Sequence, residues 1–117
     1  MPTLRDVLDR LADRSEVESI FVLGRDGLLI DQAGADGADG EAVAAMAPNL
    51  LQNANELGSA AHRDKAGSAV IEYSNGVAVV TDISPEVILV AFVRSGVPFG
   101  ALLYELRQNK DQLAALV

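Results

Sequence analysis

Three segments of strand length are apolar at nearly every position, and this restricts the possible folds more than any other feature of the chain. They are residues 19–23, 77–83 and 87–93. A strand with one face in solvent alternates apolar and polar side chains, so these strands must be covered on both faces. The turns between neighbouring strands are short, which favours antiparallel pairing. Helices are therefore expected on both faces of an antiparallel sheet.

Two further strands complete two hairpins. Residues 28–31 follow the first apolar strand across a turn that ends at Gly27, a residue suited to positive φ. Residues 68–73 precede Asn75-Gly76, the dipeptide most typical of a type I′ hairpin turn, because both residues accept positive φ. The sheet should therefore have five strands.

Three helices account for much of the remaining chain. Thr3 is a good N-cap, with Asp6 as its capping-box partner, for a first helix that ends near Arg14. The spacing of the leucines predicts the last helix over 99–116. With a second helix between the two groups of strands, the order is αββαβββα. This predicts a single α/β (α+β) domain over 1–117, a three-layer α/β/α sandwich with two helices on one face of the sheet and one on the other.

The second helix follows a glycine-rich stretch, 33–40, that is typical of a flexible loop. Asp39 is its expected N-cap, Leu57 its last residue and Gly58 its C′ residue. Pro48 lies inside it and should remove one hydrogen bond and kink the helix. The stripe predicted to face the sheet consists of Val43, Ala47, Leu50, Ala54 and Leu57.

A second facet of this helix is small and uncharged, unlike the Glu- and Lys-rich face of an ordinary solvated helix. Its residues are Ala42, Ala45, Met46, Asn49 and Asn53. Charge depletion marks the centre of protein interfaces, and methionine adapts to irregular partners. We interpret the facet as a self-association surface. The alternative is a solvated face on which alanine only favours the helix.

The acidic balance of the chain excludes several classes of partner. Asp and Glu number 17 against nine Lys and Arg, for a net charge of −8. A surface that binds phosphates needs clustered cations, so neither nucleic acid nor an anionic membrane surface is expected as a partner. No apolar run approaches the roughly 20 residues of a membrane helix, so no membrane insertion is expected. With no cysteine and no signal peptide, the sequence predicts a cytoplasmic protein.

The sequence contains no recognisable set of catalytic residues. The chain has one histidine, His62, no cysteine and no phosphate-binding G-x-x-x-x-G-K-[ST] motif. The acids Asp31, Asp36, Asp39 and Glu41 lack EF-hand spacing, and caps and solubility explain them better than calcium does. We therefore predict no catalytic, cofactor-binding or metal-ligating residue, and expect that the chain is not an enzyme.

Asp82 is the polar exception in an apolar strand. We expect it to cap the turn at 84–85. The alternative is a pocket lined by Thr81, Asp82 and Tyr104, as a small-ligand sensor of the same sandwich type would need.

A charged triplet follows the second helix: Arg63, Asp64 and Lys65. Such triplets are most often solvated loop, and the alternative is a contact with a partner protein.

Three stretches, taken in order, are similar to one known family. They are GRDGLLID at 24–31, the strand pair around Asn75-Gly76, and FGALL at 99–103. With the αββαβββα layout, the sequence resembles the roadblock / dynein light-chain family, in particular its stand-alone bacterial members, the Mgl B-like regulators of Ras-like GTPases. The resemblance spans nearly the whole chain. It implies the roadblock (profilin-like) fold and a non-catalytic regulator or scaffold that binds a Ras-like small GTPase and modulates its nucleotide cycle or localisation, without a cofactor.

The same resemblance implies dimerisation through the second helix and the third strand. The pair would be a homodimer, or a heterodimer with another roadblock chain. On this sequence the implied interface consists of Ala42, Ala45, Met46, Asn49, Asn53, Ala69, Ile71 and Tyr73.

Overall fold

The computed structural model describes residues 1–34 and 37–117, and its elements follow the predicted order with one addition at the C-terminal end. They are α1 (Leu4–Ala12), β1 (Val17–Gly24), β2 (Leu29–Gly34), α2 (Gly40–Ala60), β3 (Ser68–Tyr73), β4 (Gly76–Ser84), β5 (Val87–Arg94), α3 (Gly100–Gln108) and α4 (Lys110–Leu116). None of the helices in the described part of the chain is long and apolar enough to cross a membrane.

The strands form one antiparallel sheet in the order β2-β1-β5-β4-β3. The three apolar strands, β1, β5 and β4, occupy its centre and are almost entirely buried. A core on one face includes Leu8, Leu102 and Leu113, from α1, α3 and α4. The core on the other face includes Leu51, from α2. The predicted three-layer sandwich with five antiparallel strands is confirmed.

The N-terminal cap of α1 forms as the sequence predicts. The Asp6 N–H donates to Thr3 Oγ1 (3.1 Å) and the Thr3 N–H donates to Asp6 Oδ2 (2.9 Å). The bond that the Thr3 backbone N–H donates to the Asp6 carboxylate, together with one from the Thr3 side chain, holds the pKa of that carboxyl below its ordinary value. The helix ends at Ala12, two residues before the predicted end.

The last helix is divided in two at Asn109, so the single helix predicted over 99–116 is wrong. Asn109 has φ −103° and ψ 11°, outside helical values. Its side-chain Nδ2 donates to the Glu105 carbonyl oxygen (2.8 Å), which the Asn109 backbone N–H also reaches at 3.0 Å. An asparagine side chain that binds nearby backbone groups in this way competes with regular helix.

The hairpin between β3 and β4 forms, but not with the predicted type I′ turn. Tyr73 pairs with Gly76, so the two loop residues are Ser74 and Asn75. In the described chain His62 is the one non-glycine residue with positive φ, and Asn75 therefore lacks the conformation that a type I′ turn requires. Gly76 belongs to the strand, where a Cβ would lie only 2.9 Å from the Val93 carbonyl oxygen.

The stretch predicted as a flexible loop, 33–40, is shorter than expected at its start. Ala33 and Gly34 belong to β2, and Ala33 is buried because it packs into the core beneath α1. Ala35 and Asp36 lie outside the described residues. Gly27 has φ +86°, as expected for the turn that joins β1 to β2.

Candidate interaction surface

The helix α2 spans the sheet from the side of β2 to the side of β3. It begins after Asp39, whose Oδ1 accepts a hydrogen bond from the Ala42 N–H (3.2 Å), as the predicted N-cap requires. A Cβ on Gly40 would meet the side chain of Gln32 in β2. Near its other end, Asn55 Oδ1 accepts a hydrogen bond from the Ala66 N–H (2.7 Å), just before β3.

The side of α2 that faces the sheet matches the predicted stripe only in part: Ala47 is buried and Val43 packs against the core, as predicted. The buried residues are Gly40, Ala44, Ala47 and Leu51. Leu50 and Leu57, which were expected in the core, are 39% and 75% exposed. Three of the four buried residues are glycine or alanine, so the helix lies on the sheet largely through small residues. The most hydrophobic stripe of this helix is therefore not its buried stripe.

The end of α2 also differs from the prediction, because Gly58 lies inside the helix and His62 is the C′ residue. His62 adopts the left-handed conformation, with φ 59°. The Arg63 N–H donates to the Gly58 carbonyl oxygen (2.7 Å), and the His62 N–H donates to the Ser59 carbonyl oxygen (3.1 Å). These two bonds form a Schellman motif, which holds the following residues against the end of the helix.

The outward side of α2 is uncharged over a long stretch. Between Glu41 and Glu56 the helix carries no charged residue. Of the predicted facet, Ala42 is half-buried and the other four residues are exposed. The misassigned leucines enlarge this area, which we call the α2 surface: Ala42, Ala45, Met46, Asn49, Leu50, Asn53 and Leu57. On a helical projection, Met46, Leu50 and Leu57 share one flank of it.

The edge strand β3 lies beside α2, and among the described residues it pairs with β4 alone. Ala69 packs against the core beneath α2. Ile71 and Tyr73 follow at alternate positions, so they face the same side of the sheet. Ile71 is half-buried and Tyr73 is 51% exposed. All eight residues of the implied dimer interface are thus on the α2 side of the molecule, and their contact with a second copy stays a prediction.

The triplet Arg63, Asp64 and Lys65 lies on the opposite flank of α2. All three residues are exposed, and they line a shallow depression with Gln52 and Glu56. In the described part of the chain neither Arg63 nor Lys65 forms an ion pair. A contact with a partner therefore stays a prediction for these residues.

Asp82 does not cap the turn after β4, contrary to the expectation. Ser84 does, because its Oγ accepts a hydrogen bond from the Glu86 N–H (3.3 Å). Asp82 Oδ1 instead accepts from Arg25 Nη2 (2.5 Å), and Lys110 Nζ lies 4.0 Å from Asp82 Oδ2.

Arg25 is the residue that sequence reasoning missed at this end of the sheet. Its Nη2 also donates to the Ser84 carbonyl oxygen (2.9 Å), and its Nε donates to the Pro85 carbonyl oxygen (2.7 Å). The guanidinium thereby joins the β1–β2 turn to the β4–β5 turn, beside an open cleft of about 540 Å³. Nothing in the local sequence marks it, since its partners are 57 to 60 residues away.

The polar residues considered for a ligand pocket do not converge. Thr81 is buried and its Oγ1 lies 3.2 Å from Ser68 Oγ, while Asp82 points to the other face of the strand. Tyr104 is mostly exposed.

The acids considered for calcium do not form a set in the described part of the chain. Asp31 binds Arg5, Asp39 caps α2, and Asp36 lies outside the described residues. Among residues 1–34 and 37–117, no three acidic or histidine side chains are grouped closely enough to hold a metal ion.

A family model for the Roadblock/LC7 domain matches residues 3–92. The chain belongs to the Roadblock/LC7 family. The matched region contains α1, β1 to β4, α2 and most of β5, and thus the α2 surface and the β3 edge. No curated protein is significantly similar to the chain in sequence.

Solved structures agree with this assignment over nearly the full length of the chain. MglB from Myxococcus xanthus superposes with a TM-score of 0.84 at 18% identity, covering 97% of this chain and 93% of that one. A Roadblock/LC7 domain from Streptomyces avermitilis gives a TM-score of 0.83 at 20% identity, covering 97% of both chains. MglC from Myxococcus xanthus gives 0.66 at 20% identity, covering 97% and 98%. These similarities show that α3 and α4, beyond the family match, are part of the shared fold.

Proposed function

We propose that this protein is a non-enzymatic, dimeric regulator or scaffold of the cytoplasm that binds a Ras-like small GTPase and modulates its nucleotide cycle or localisation. The observation that carries the proposal is the uncharged α2 surface, which lies beside an open edge strand on the same side of the molecule. A single chain leaves both of these features in solvent.

The proposed dimer contact joins the α2 surface and β3 of one copy to the same elements of another. A two-fold dimer uses one patch twice, so the patch must complement itself. A surface without charge meets that condition, because no like charges are brought together. Ala42 and Ala45 allow close approach of two helices, and Met46, Leu50 and Leu57 supply apolar area for burial. An unpaired edge strand supplies backbone hydrogen bonds to a second copy.

The proposed GTPase contact uses a part of the molecule that the dimer contact leaves free. The apolar flank of α2 is covered by the second copy, whereas Arg63, Asp64 and Lys65 lie on the opposite flank and stay exposed. The resemblance of the sequence to the stand-alone bacterial roadblock proteins supports a Ras-like GTPase as the partner. A regulator of this type needs no catalytic group of its own, since it can act by favouring one conformation of the switch segments of the GTPase.

The proposal is tested by capture of a small GTPase from lysate of the source cell. Tagged protein is incubated with either GDP or a non-hydrolysable GTP analogue, and retained proteins are identified by mass spectrometry. We expect one small GTPase to be retained mainly in one nucleotide state. A double variant, Arg63→Ala with Lys65→Ala, should lose it. Arg107→Ala, which removes an exposed cation from α3, is the matched control and should retain it.

The absence of any GTPase in both nucleotide states would contradict the regulator proposal, provided that the bait is folded and dimeric. If the double variant retains the GTPase as well as the control does, the GTPase is still a partner, but its contact with Arg63 and Lys65 is contradicted.

A further inference from the structure

The two edge strands of the sheet differ in how their outward backbone groups are satisfied. β2 forms one edge and β3 the other. An uncapped edge presents N–H and C=O groups that can pair with another chain. Two open edges on one molecule would permit assembly without end, because each added copy would expose a new edge.

The β2 edge is capped at Gln32 by two side chains. The Gln32 N–H donates to Asp31 Oδ1 (2.8 Å), and Arg5 Nη1 donates to the Gln32 carbonyl oxygen (2.5 Å). The N–H and C=O of one strand residue point to the same side, so both are the groups that face away from β1. The cap therefore occupies one of the outward pairs of backbone groups that a further strand would bind, in the middle of β2.

Arg5 is itself held in place by two carboxylates. Its Nη1 lies 3.0 Å from Asp31 Oδ1, and its Nη2 lies 3.2 Å from Asp9 Oδ1, one turn further along α1. Asp31 thus binds both the Gln32 N–H and the guanidinium that binds the Gln32 carbonyl oxygen. α1 and α2 both contact β2 as well, so the capped strand is flanked by helices on both faces.

β3 has no comparable protection. In the described residues, no side-chain hydrogen bond reaches the backbone of Ser68–Tyr73. The one side-chain contact of the strand joins Ser68 Oγ to Thr81 Oγ1 within the sheet.

We propose that the Arg5–Asp31 cap on Gln32 prevents β2 from pairing with a second copy of this chain, so that self-association stays on the β3 side and ends at a dimer. The capping part of this inference stands on the contacts at β2 alone. Its second part, the closed dimer, rests on the proposed function.

The test removes the cap and measures assembly by sedimentation velocity over a wide range of protein concentrations. Arg5→Ala and Asp31→Ala should form species larger than the wild-type protein, with an average mass that rises as concentration rises. Arg10→Ala is the matched control: it lies on the same helix with the same 54% side-chain exposure, but it contacts Glu105 and not β2. This control should sediment as the wild type does.

The same substitutions are then made together with Ala45→Arg, which disrupts the α2 surface. Pairing through β2 does not need that surface, so Arg5→Ala should still associate in this background. This experiment tests pairing through β2 even if the wild-type protein is a monomer. Asp31→Asn, which keeps an acceptor for the Gln32 N–H but removes the charge that holds Arg5, should give an intermediate effect and serves if Asp31→Ala does not fold.

Uncapped variants that are folded by circular dichroism, yet sediment like the control at every concentration in both backgrounds, would overturn the proposal. Larger species formed equally by Arg10→Ala would overturn it too, because the effect would then not depend on the β2 edge.

Discussion

The two helical layers that cover the sheet differ in how far their charged and apolar side chains find partners within one chain. Next to the layer of α1, α3 and α4, Arg14 in the α1–β1 connection binds both oxygens of Glu16 (3.2 and 3.0 Å). Arg14 also contacts Glu105 of α3, which Arg10 Nε of α1 approaches at 3.8 Å. Five leucines of these helices are fully buried: Leu8, Leu11, Leu102, Leu106 and Leu113.

The α2 layer shows the opposite pattern. In the described part of the chain α2 takes part in no ion pair, and it leaves three large apolar side chains exposed. Large apolar side chains grouped on a helix face that lacks charge are typical of a surface that binds a partner. This difference supports the proposal that α2 is the layer through which the protein associates.

The two layers should differ most in how much stability is lost when one of their leucines is truncated to alanine. Leu106→Ala removes a fully buried side chain and should lower the free energy of unfolding by about 2–5 kcal/mol. Leu57→Ala removes a mostly exposed one and should change it by less than about 0.5 kcal/mol. Urea denaturation checks both, in the Ala45→Arg background so that association does not contribute. Similar losses for the two variants would contradict the difference between the layers.

A smaller effect should follow from the ion pairs of the α1 layer. The hydrogen bonds from Arg14 hold the pKa of the Glu16 carboxyl below its ordinary value of 4.5, and they raise the pKa of Arg14. Because the folded pKa of Glu16 is lowered, its stabilisation is complete above the unfolded pKa and is lost as pH falls through the folded pKa. Glu16→Gln should therefore lower the free energy of unfolding at neutral pH, by about 1 kcal/mol.

This difference between variant and wild type should shrink as the pH is lowered toward about 3, which chemical denaturation at a series of pH values would show. Glu56→Gln removes the same charge from α2, where no ion pair forms in the described chain, and should have a smaller effect at neutral pH. A loss that is equal at neutral and acidic pH would exclude the Arg14 contact as its cause.

The sequence predicts most of the architecture because local patterns determine it. The unbroken apolar strands required cover on both faces, β3 has the predicted bounds, and Thr3 caps α1 with Asp6. The division at Asn109 was missed, since it depends on one side-chain hydrogen bond and not on periodicity.

The orientation of α2 is where prediction from hydrophobicity fails, for a physical reason. Burial in the core and burial in an interface draw on the same residues, so Leu50 and Leu57 resembled core leucines although they face solvent. The guanidinium contacts of Arg25 with Asp82 and of Arg5 with Gln32 could not be predicted from local sequence patterns, because each joins residues far apart in the chain. The candidate interface was found through a different signal, the absence of charge.

The most direct test of the account is the mass in solution of the wild-type protein, Ala45→Arg and the control Ala101→Arg, measured by sedimentation. Ala101 is exposed on α3, outside the proposed interface, so both variants place one new arginine on an exposed helix face. Burying an unpaired charge costs several kcal/mol, so Ala45→Arg should raise the dimer dissociation constant by at least about a hundredfold. We expect the wild type and the control to be dimers and Ala45→Arg to be a folded monomer. An Ala45→Arg protein as dimeric as the control would contradict the proposed α2 interface.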